Sequence, residues 1–235
     1  NVYIEEPFLK NDITIYNKLN QKLNEIGVNL ITYNCTLLWK PYSILKNDLT
    51  PYKVFSPFYK KGCLLNSRSP EKPLGSPQSL NFIKTNIQTK ISDLKLISKN
   101  KWHKKLNTYW NISENAATDT LNIFINEKVY RYKNGRDFPC LNKNSRLSPY
   151  IRFGLISVHK IWWELEKIAS NENVEHYKSE LGWREFSYYL LYHFPQIQNE
   201  NLQKKFDTFE WENSKTKFLI KYRPNIDNKT LYAYT

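Results

Sequence analysis

The chain has no methionine anywhere in its 235 residues and opens on Asn1. An open reading frame normally starts with methionine, so a segment ahead of Asn1 is expected. Cysteine is scarce: Cys35, Cys63 and Cys140 stand far apart, with no C-x-x-C pair. That spacing supports neither a disulfide framework nor a zinc knuckle and favours a reducing compartment, taken here as the cytoplasm. There is no run of 18 apolar residues, so no membrane span is expected, and no secretory leader pattern. No metal site is expected.

Aromatic and basic residues are abundant. Seventeen tyrosines, seven tryptophans and a hydrophobic fraction of 40% are enough to build a core, so global disorder is excluded. The length allows one large or two modest domains. A formal net charge of +13 implies an anionic partner, with nucleic acid the leading candidate. Lysine is accompanied by many asparagines and isoleucines, so a compositional bias of the source is an alternative reading of the charge.

Taken in order, residues 12–26 place Tyr16, Leu19, Leu23 and Ile26 at helical spacing, and Gly27 ends the helix. Residues 28–33 read as a strand, giving half of an α/β unit that needs more strands than this segment supplies. Pro41 and residues 50–58 break the periodicity. Residues 61–111 are rich in Ser, Pro, Asn and Lys and read as a connector, with a possible short element near Leu80 to Ile91. Within it, Lys99, Lys101, His103, Lys104 and Lys105 read as a solvated basic face.

The rest is helical by pattern. Ser113 is placed to cap a helix with Ala117, Leu121, Phe124 and Ile125 on one stripe. Ser148 reads as an N-cap with Pro149 as the first helical residue, and Arg146 beside that helix start makes a possible anion site. An ordinary capped helix explains the same pattern. Ser157 caps a helix carrying Ile161, Leu165 and Ile168. A last helix runs from about Val174 to His193 and is bounded by Pro195. On it Glu180, Trp183, Arg184 and Ser187 fall at i, i+3, i+4 and i+7 and share a face suited to an aromatic, anionic ligand. Gly182 inside that helix costs about 1 kcal/mol relative to alanine, which implies that something approaches closely there. The plainer alternative is a core tryptophan and a Glu180–Arg184 ion pair.

Three segments are more specific together than alone: Gly135-Arg136-Asp137-Phe138-Pro139, then Ser145-Arg146-Leu147-Ser148-Pro149-Tyr150-Ile151-Arg152-Phe153-Gly154, then Trp183-Arg184-Glu185-Phe186. In order and spacing this combination resembles the DNA photolyase/cryptochrome family, nearest to the bacterial class I type that repairs cyclobutane pyrimidine dimers. The resemblance implies an α/β remnant, part of a Rossmann-like antenna domain, over residues 1–60. It implies a connector over 61–111 and an incomplete all-α FAD-binding domain over 112–235. It further implies a fragment truncated at both ends, because the family's Thr-Gly-x-Pro block is only faintly echoed by residues 221–228.

The cofactors implied are FAD and, in the full-length parent, an antenna chromophore of folate or deazaflavin type. Tyr132, Asn144, Ser145, Arg146, Leu147 and Ser148 are implied to cradle the FAD phosphates, with Tyr177 and Arg184 as further flavin contacts. Arg136, Glu180, Trp183, Arg184 and Ser187 are implied DNA contacts, with Glu180 and Trp183 carrying the catalytic role at the lesion. The implied activity is that of a deoxyribodipyrimidine photolyase, a monomer acting on DNA containing pyrimidine dimers in a bacterial nucleoid. A cryptochrome-like photoreceptor without repair and a non-enzymatic basic DNA-binding remnant are the alternatives.

Overall fold

Two four-residue strands, β1 (Val2–Glu5) and β2 (Leu30–Tyr33), pair in parallel with Val2 opposite Leu30 and Glu5 opposite Tyr33. Parallel neighbours need a long crossover, and α1 (Lys10–Glu25) provides it. The computed structural model describes residues 1–75, 77–81, 90–96 and 103–209. The basic residues Lys99 and Lys101, most of the element expected near Leu80 to Ile91, and residues 221–228 lie outside those bounds. By its contacts the chain falls into two units, residues 1–195 and 196–235. The architecture below belongs to the first. The second contributes, among the described residues, a short 3-10 turn at Lys204–Phe206.

Strand β1 had no expectation attached, since four residues with no turn signal before them leave no periodicity to read. α1 begins two residues earlier than expected and ends at Glu25, with Ile26 as C-cap and Gly27 just past it at a φ of +70° that is open to glycine without strain. Its apolar stripe finds no core. No residue of α1 is buried, and Ile26 is 71% exposed.

The helical body is a different environment. α2 (Phe55–Pro57) runs directly into a π-helical segment, Phe58–Leu65, that buries Phe58, Tyr59 and Cys63. Past it the chain lies against the body, with Pro70 and Glu71 carbonyls accepting from Trp163 Nε1 at 3.1 and 3.0 Å. After the short α3 (His103–Leu106) comes α4 (Glu114–Ile123), capped by Ser113, whose Oγ accepts from Ala116 N at 3.1 Å. Ala117, Leu121 and Phe124 lose all solvent exposure. Burial of each such large apolar side chain contributes roughly 1.5–3 kcal/mol. The expected stripe therefore holds, although past Ile123 the helix widens into a π segment at Phe124–Lys128 and then tightens through Val129–Arg131 into α5 (Tyr132–Gly135).

α6 (Ser148–Arg152) departs from expectation by one residue. Leu147, not Ser148, is the N-cap; Ser148 is the first helical residue, and no side chain caps the end. Arg146 adopts φ +56°, which swings Leu147 fully into the core while its amide donates to Ser145 Oγ at 3.3 Å. α7 (Val158–Glu166) is capped by Ser157 as expected and buries Ile161 and Leu165. α8 (Glu172–His193) is the longest element, and its N-cap Asn171 accepts from Asn173 N and Val174 N at 2.9 and 3.1 Å. Among the described residues no helix is long and apolar enough to cross a membrane, and no three His, Cys, Asp or Glu side chains cluster as metal ligands.

Candidate functional site

α8 organises the site because its two sides meet different parts of the chain. Gly182 lets it lie close to the π-helical segment: a Cβ there would sit 2.6 Å from Tyr59 Cδ2 and Cε2. The close approach expected at this glycine is thus made by a neighbour in the chain itself.

On one side, Glu180 is ion-paired with Arg136, which α5 delivers. Arg136 Nη1 also lies 3.2 Å from His176 Nε2, and its guanidinium sits over the Tyr132 ring at 5.6 Å. The bond to Glu180 holds the Arg136 guanidinium above its ordinary proton affinity. Glu180 therefore pairs with Arg136 rather than with Arg184. One turn on, Trp183 stacks on Phe55 with ring centroids 3.8 Å apart and planes 12° from parallel, leaving 47% of the residue exposed. Trp183 is consequently not a core tryptophan. Ser187 donates its hydroxyl back to the Trp183 carbonyl at 3.0 Å.

Arg184 leaves this face. Its Nη1 donates to the Thr36 carbonyl and to Glu185 Oε1, both at 2.8 Å. The helical register is as expected, but a long side chain follows its acceptors, one in the loop after β2 and the other on the next residue of α8. Glu185 has no solvent exposure to speak of and also accepts from Leu38 N at 2.7 Å. Burial pushes its carboxyl up to about 7, against the lowering influence of Arg184 and the Leu38 and Trp39 amides. His159 from α7 holds the same loop, its two ring nitrogens 3.0 Å from Leu37 O and 2.9 Å from Glu71 O.

The loop over residues 144–148 lies against α5 and α8. Asn144 donates to the Arg136 carbonyl at 3.4 Å. Tyr132 and Tyr177 are buried, their rings 4.9 Å apart and edge to face, and burial raises both phenols above their ordinary range. Arg146 is exposed, lies over the Trp110 ring at 4.5 Å, and has no carboxylate partner among the described residues. An unneutralised guanidinium beside the hydroxyls of Ser145 and Ser148 is a donor set that fits a pyrophosphate. Of the residues expected to hold cofactor, Leu147 has its side chain in the core, leaving only its backbone to meet a ligand.

A cavity of about 1050 Å³ opens beyond the carboxyl ends of β1 and β2, lined by Glu5, Asp12, Thr36, Arg152, Arg184 and Tyr188 among others. Sequence reasoning did not anticipate it. It also passed over His176, Phe55 and Glu185. His176 stands one turn before Glu180 and Glu185 inside the quoted motif, so both had a local signal; Phe55 had none, since only the fold brings it to α8.

Residues 177–229 match the family model for the FAD binding domain of DNA photolyase. A deoxyribodipyrimidine photo-lyase of Agrobacterium fabrum is 34% identical over 206 residues, covering 85% of this chain and 42% of the relative. Cryptochrome-2 of Arabidopsis thaliana is 27% identical, over 85% of this chain and 35% of its own length. A solved bacterial class III photolyase from Agrobacterium tumefaciens superposes with a TM-score of 0.82 at 30% identity, over 93% of this chain and 46% of that one. The chain belongs to the DNA photolyase/cryptochrome family. It spans less than half the length of these relatives.

Proposed function

We propose that the chain is the phosphate-cradling and lesion-facing part of a light-driven photolyase that repairs cyclobutane pyrimidine dimers. The observation that carries this reading is the half-exposed Trp183 ring stacked on Phe55, one turn from the Arg136–Glu180 pair. Enzymes that act on a base extrude it from the duplex at a cost of a few kcal/mol, and photolyases are among the named examples of this behaviour. A flat indole recovers part of that, since base stacking on an aromatic contributes roughly 1–3 kcal/mol. Arg136 supplies positive charge for a flanking phosphate, and Glu180 an acceptor for a pyrimidine N–H or, when protonated, a donor to its carbonyl. Ser187, bonded to the Trp183 carbonyl, stiffens that turn.

Reduced FAD, when bound, would supply light-driven electron transfer to the cyclobutane ring with no net redox change. The residues that hold it are Arg146, Ser145, Ser148 and Asn144 at the pyrophosphate, with Tyr132 and Tyr177 walling the site. Arg184, committed to Thr36 and Glu185, shapes the wall of the cavity beyond the strand ends. That cavity sits where ligands of open α/β sheets bind, outside the carboxyl ends of strands. Its arginines and carboxylates suit a heterocycle with an anionic tail, so we assign it to the antenna chromophore and read residues 1–60 as part of a Rossmann-like domain. Residues 61–111 then serve as connector and residues 112–235 as the flavin domain of a monomer working on nucleoid DNA in the cytoplasm.

The test is the absorbance of the purified chain after incubation with FAD and removal of free ligand. A retained, resolved flavin band is expected, lost in Arg146→Ala. Trp183→Ala should keep the band and lose preference for an oligonucleotide carrying one thymine dimer over its undamaged twin. A chain that keeps flavin and shows no dimer preference is a photoreceptor of the cryptochrome type. A chain with neither, binding DNA only with steep salt dependence, overturns the flavoprotein reading.

A further inference from the structure

The Arg136–Glu180 pair poses a difficulty that His176 resolves. Paired to each other, neither group is free for DNA, and drawing Arg136 away to a phosphate leaves Glu180 without its cation. At 29% side-chain exposure Glu180 is only partly hydrated, so the loss is felt. His176 Nε2 lies 3.2 Å from Arg136 Nη1 and 3.8 Å from Glu180 Oε1, and it sits one helical turn before Glu180 on α8. In the free protein an unprotonated Nε2 accepts from Arg136. Once Arg136 leaves, the same nitrogen, protonated, faces the carboxylate at nearly ion-pair distance.

We infer that His176 is a positioning residue that takes over from Arg136 as the cationic partner of Glu180 when Arg136 turns to DNA, taking up one proton from solvent as it does so. This rests on the reading of Arg136 and Glu180 as DNA contacts. The exchange keeps Glu180 in place without stranding its charge. The groups around His176 favour it. Glu172, one turn earlier, adds negative charge but is itself bonded to Lys133, and Asp137 lies beside Arg136 at 3.7 Å. The Tyr132 ring, centroid 6.0 Å away, closes the remaining side. Lys133 and Glu172 offset each other, so departure of Arg136 leaves His176 facing the negative charge of Glu180.

Binding that takes up a proton weakens as pH rises. The affinity for dimer-bearing DNA therefore falls as pH rises, by up to about tenfold per pH unit. The test measures the Kd of the full chain for a short single-stranded oligonucleotide carrying one thymine dimer, and for the same strand undamaged, from pH 5.5 to 8.5 at constant ionic strength. His176→Gln keeps a neutral acceptor toward Arg136 and Glu180→Gln removes the charge to be compensated. In both variants the part of the slope specific to the dimer disappears, while melting temperatures stay near wild type. Equal slopes in wild type and His176→Gln overturn the exchange. No dimer preference at any pH, with Arg136→Gln binding as wild type does, overturns the DNA reading beneath it, and the exchange with it.

Discussion

The β1–α1–β2 layer and the helical body obey the same sequence rules and meet different fates. α1 has sixteen residues, an apolar stripe and a glycine stop, yet buries nothing. α4 has ten, and its stripe buries Ala117 and Leu121 completely. Periodicity states which face of a helix is apolar; it does not state what covers that face. Isolated helices of this length are marginal in water, and parallel sheets ordinarily have both faces covered. The α/β layer is therefore held less by its own packing than by the loop after β2, clasped by Glu185, Arg184 and His159.

Cutting that clasp breaks the comparison most severely. Glu185→Ala leaves the Leu38 amide and the Arg184 guanidinium without their buried acceptor and should lower unfolding stability by about 3–5 kcal/mol, read by urea denaturation. Leu121→Ala, in the body alone, should cost about 2–5 kcal/mol by the same measurement. The acidity of Glu185 gives a graded version. Its carboxyl is raised from 4.5 to about 7 by burial, so the protonated form is favoured in the fold. Its stability contribution is fully present below about pH 4.5 and is lost as pH rises to about 7, an effect on the order of 3 kcal/mol. The pH slope of stability in that window should be smaller in Glu185→Gln.

Gly182→Ala should cost about 1–3 kcal/mol, because the Tyr59 ring stands 2.6 Å from the new methyl and is itself stacked on Phe55. Leu19→Ala on α1 should stay within about 0.5 kcal/mol. A large loss at Leu19 would mean that the α1 face is covered in solution, and the contrast between the two regions would fail.

What was legible followed from local chemistry. Ser113 and Ser157 bond the amides that an N-cap serine ought to bond, and Gly27 sits at the positive φ that stops a helix. The close approach at Gly182 was legible too, though not that Tyr59 makes it. Ser148 was misplaced by one residue because a left-handed arginine is invisible to a capping rule, and Arg146 needed tertiary packing of Leu147 to hold that conformation. The face of α8 was read correctly as a register and incorrectly as a cluster: Arg184 belongs to it by spacing and leaves it by hydrogen bonding. The Phe55–Trp183 stack and the Glu185 contact with Leu38 join segments far apart in sequence, and nothing local encodes such a meeting.

The stack has one more consequence. With Phe55 flat against one side, the Trp183 indole is already held by a stack and has less freedom to surrender when something docks on the other. Immobilising a free side chain of that kind at an interface costs roughly 0.5–1.5 kcal/mol. Here the restraint was imposed during folding, so a planar partner meets a rigid plate, and its affinity reflects contact rather than the ordering of the ring that receives it.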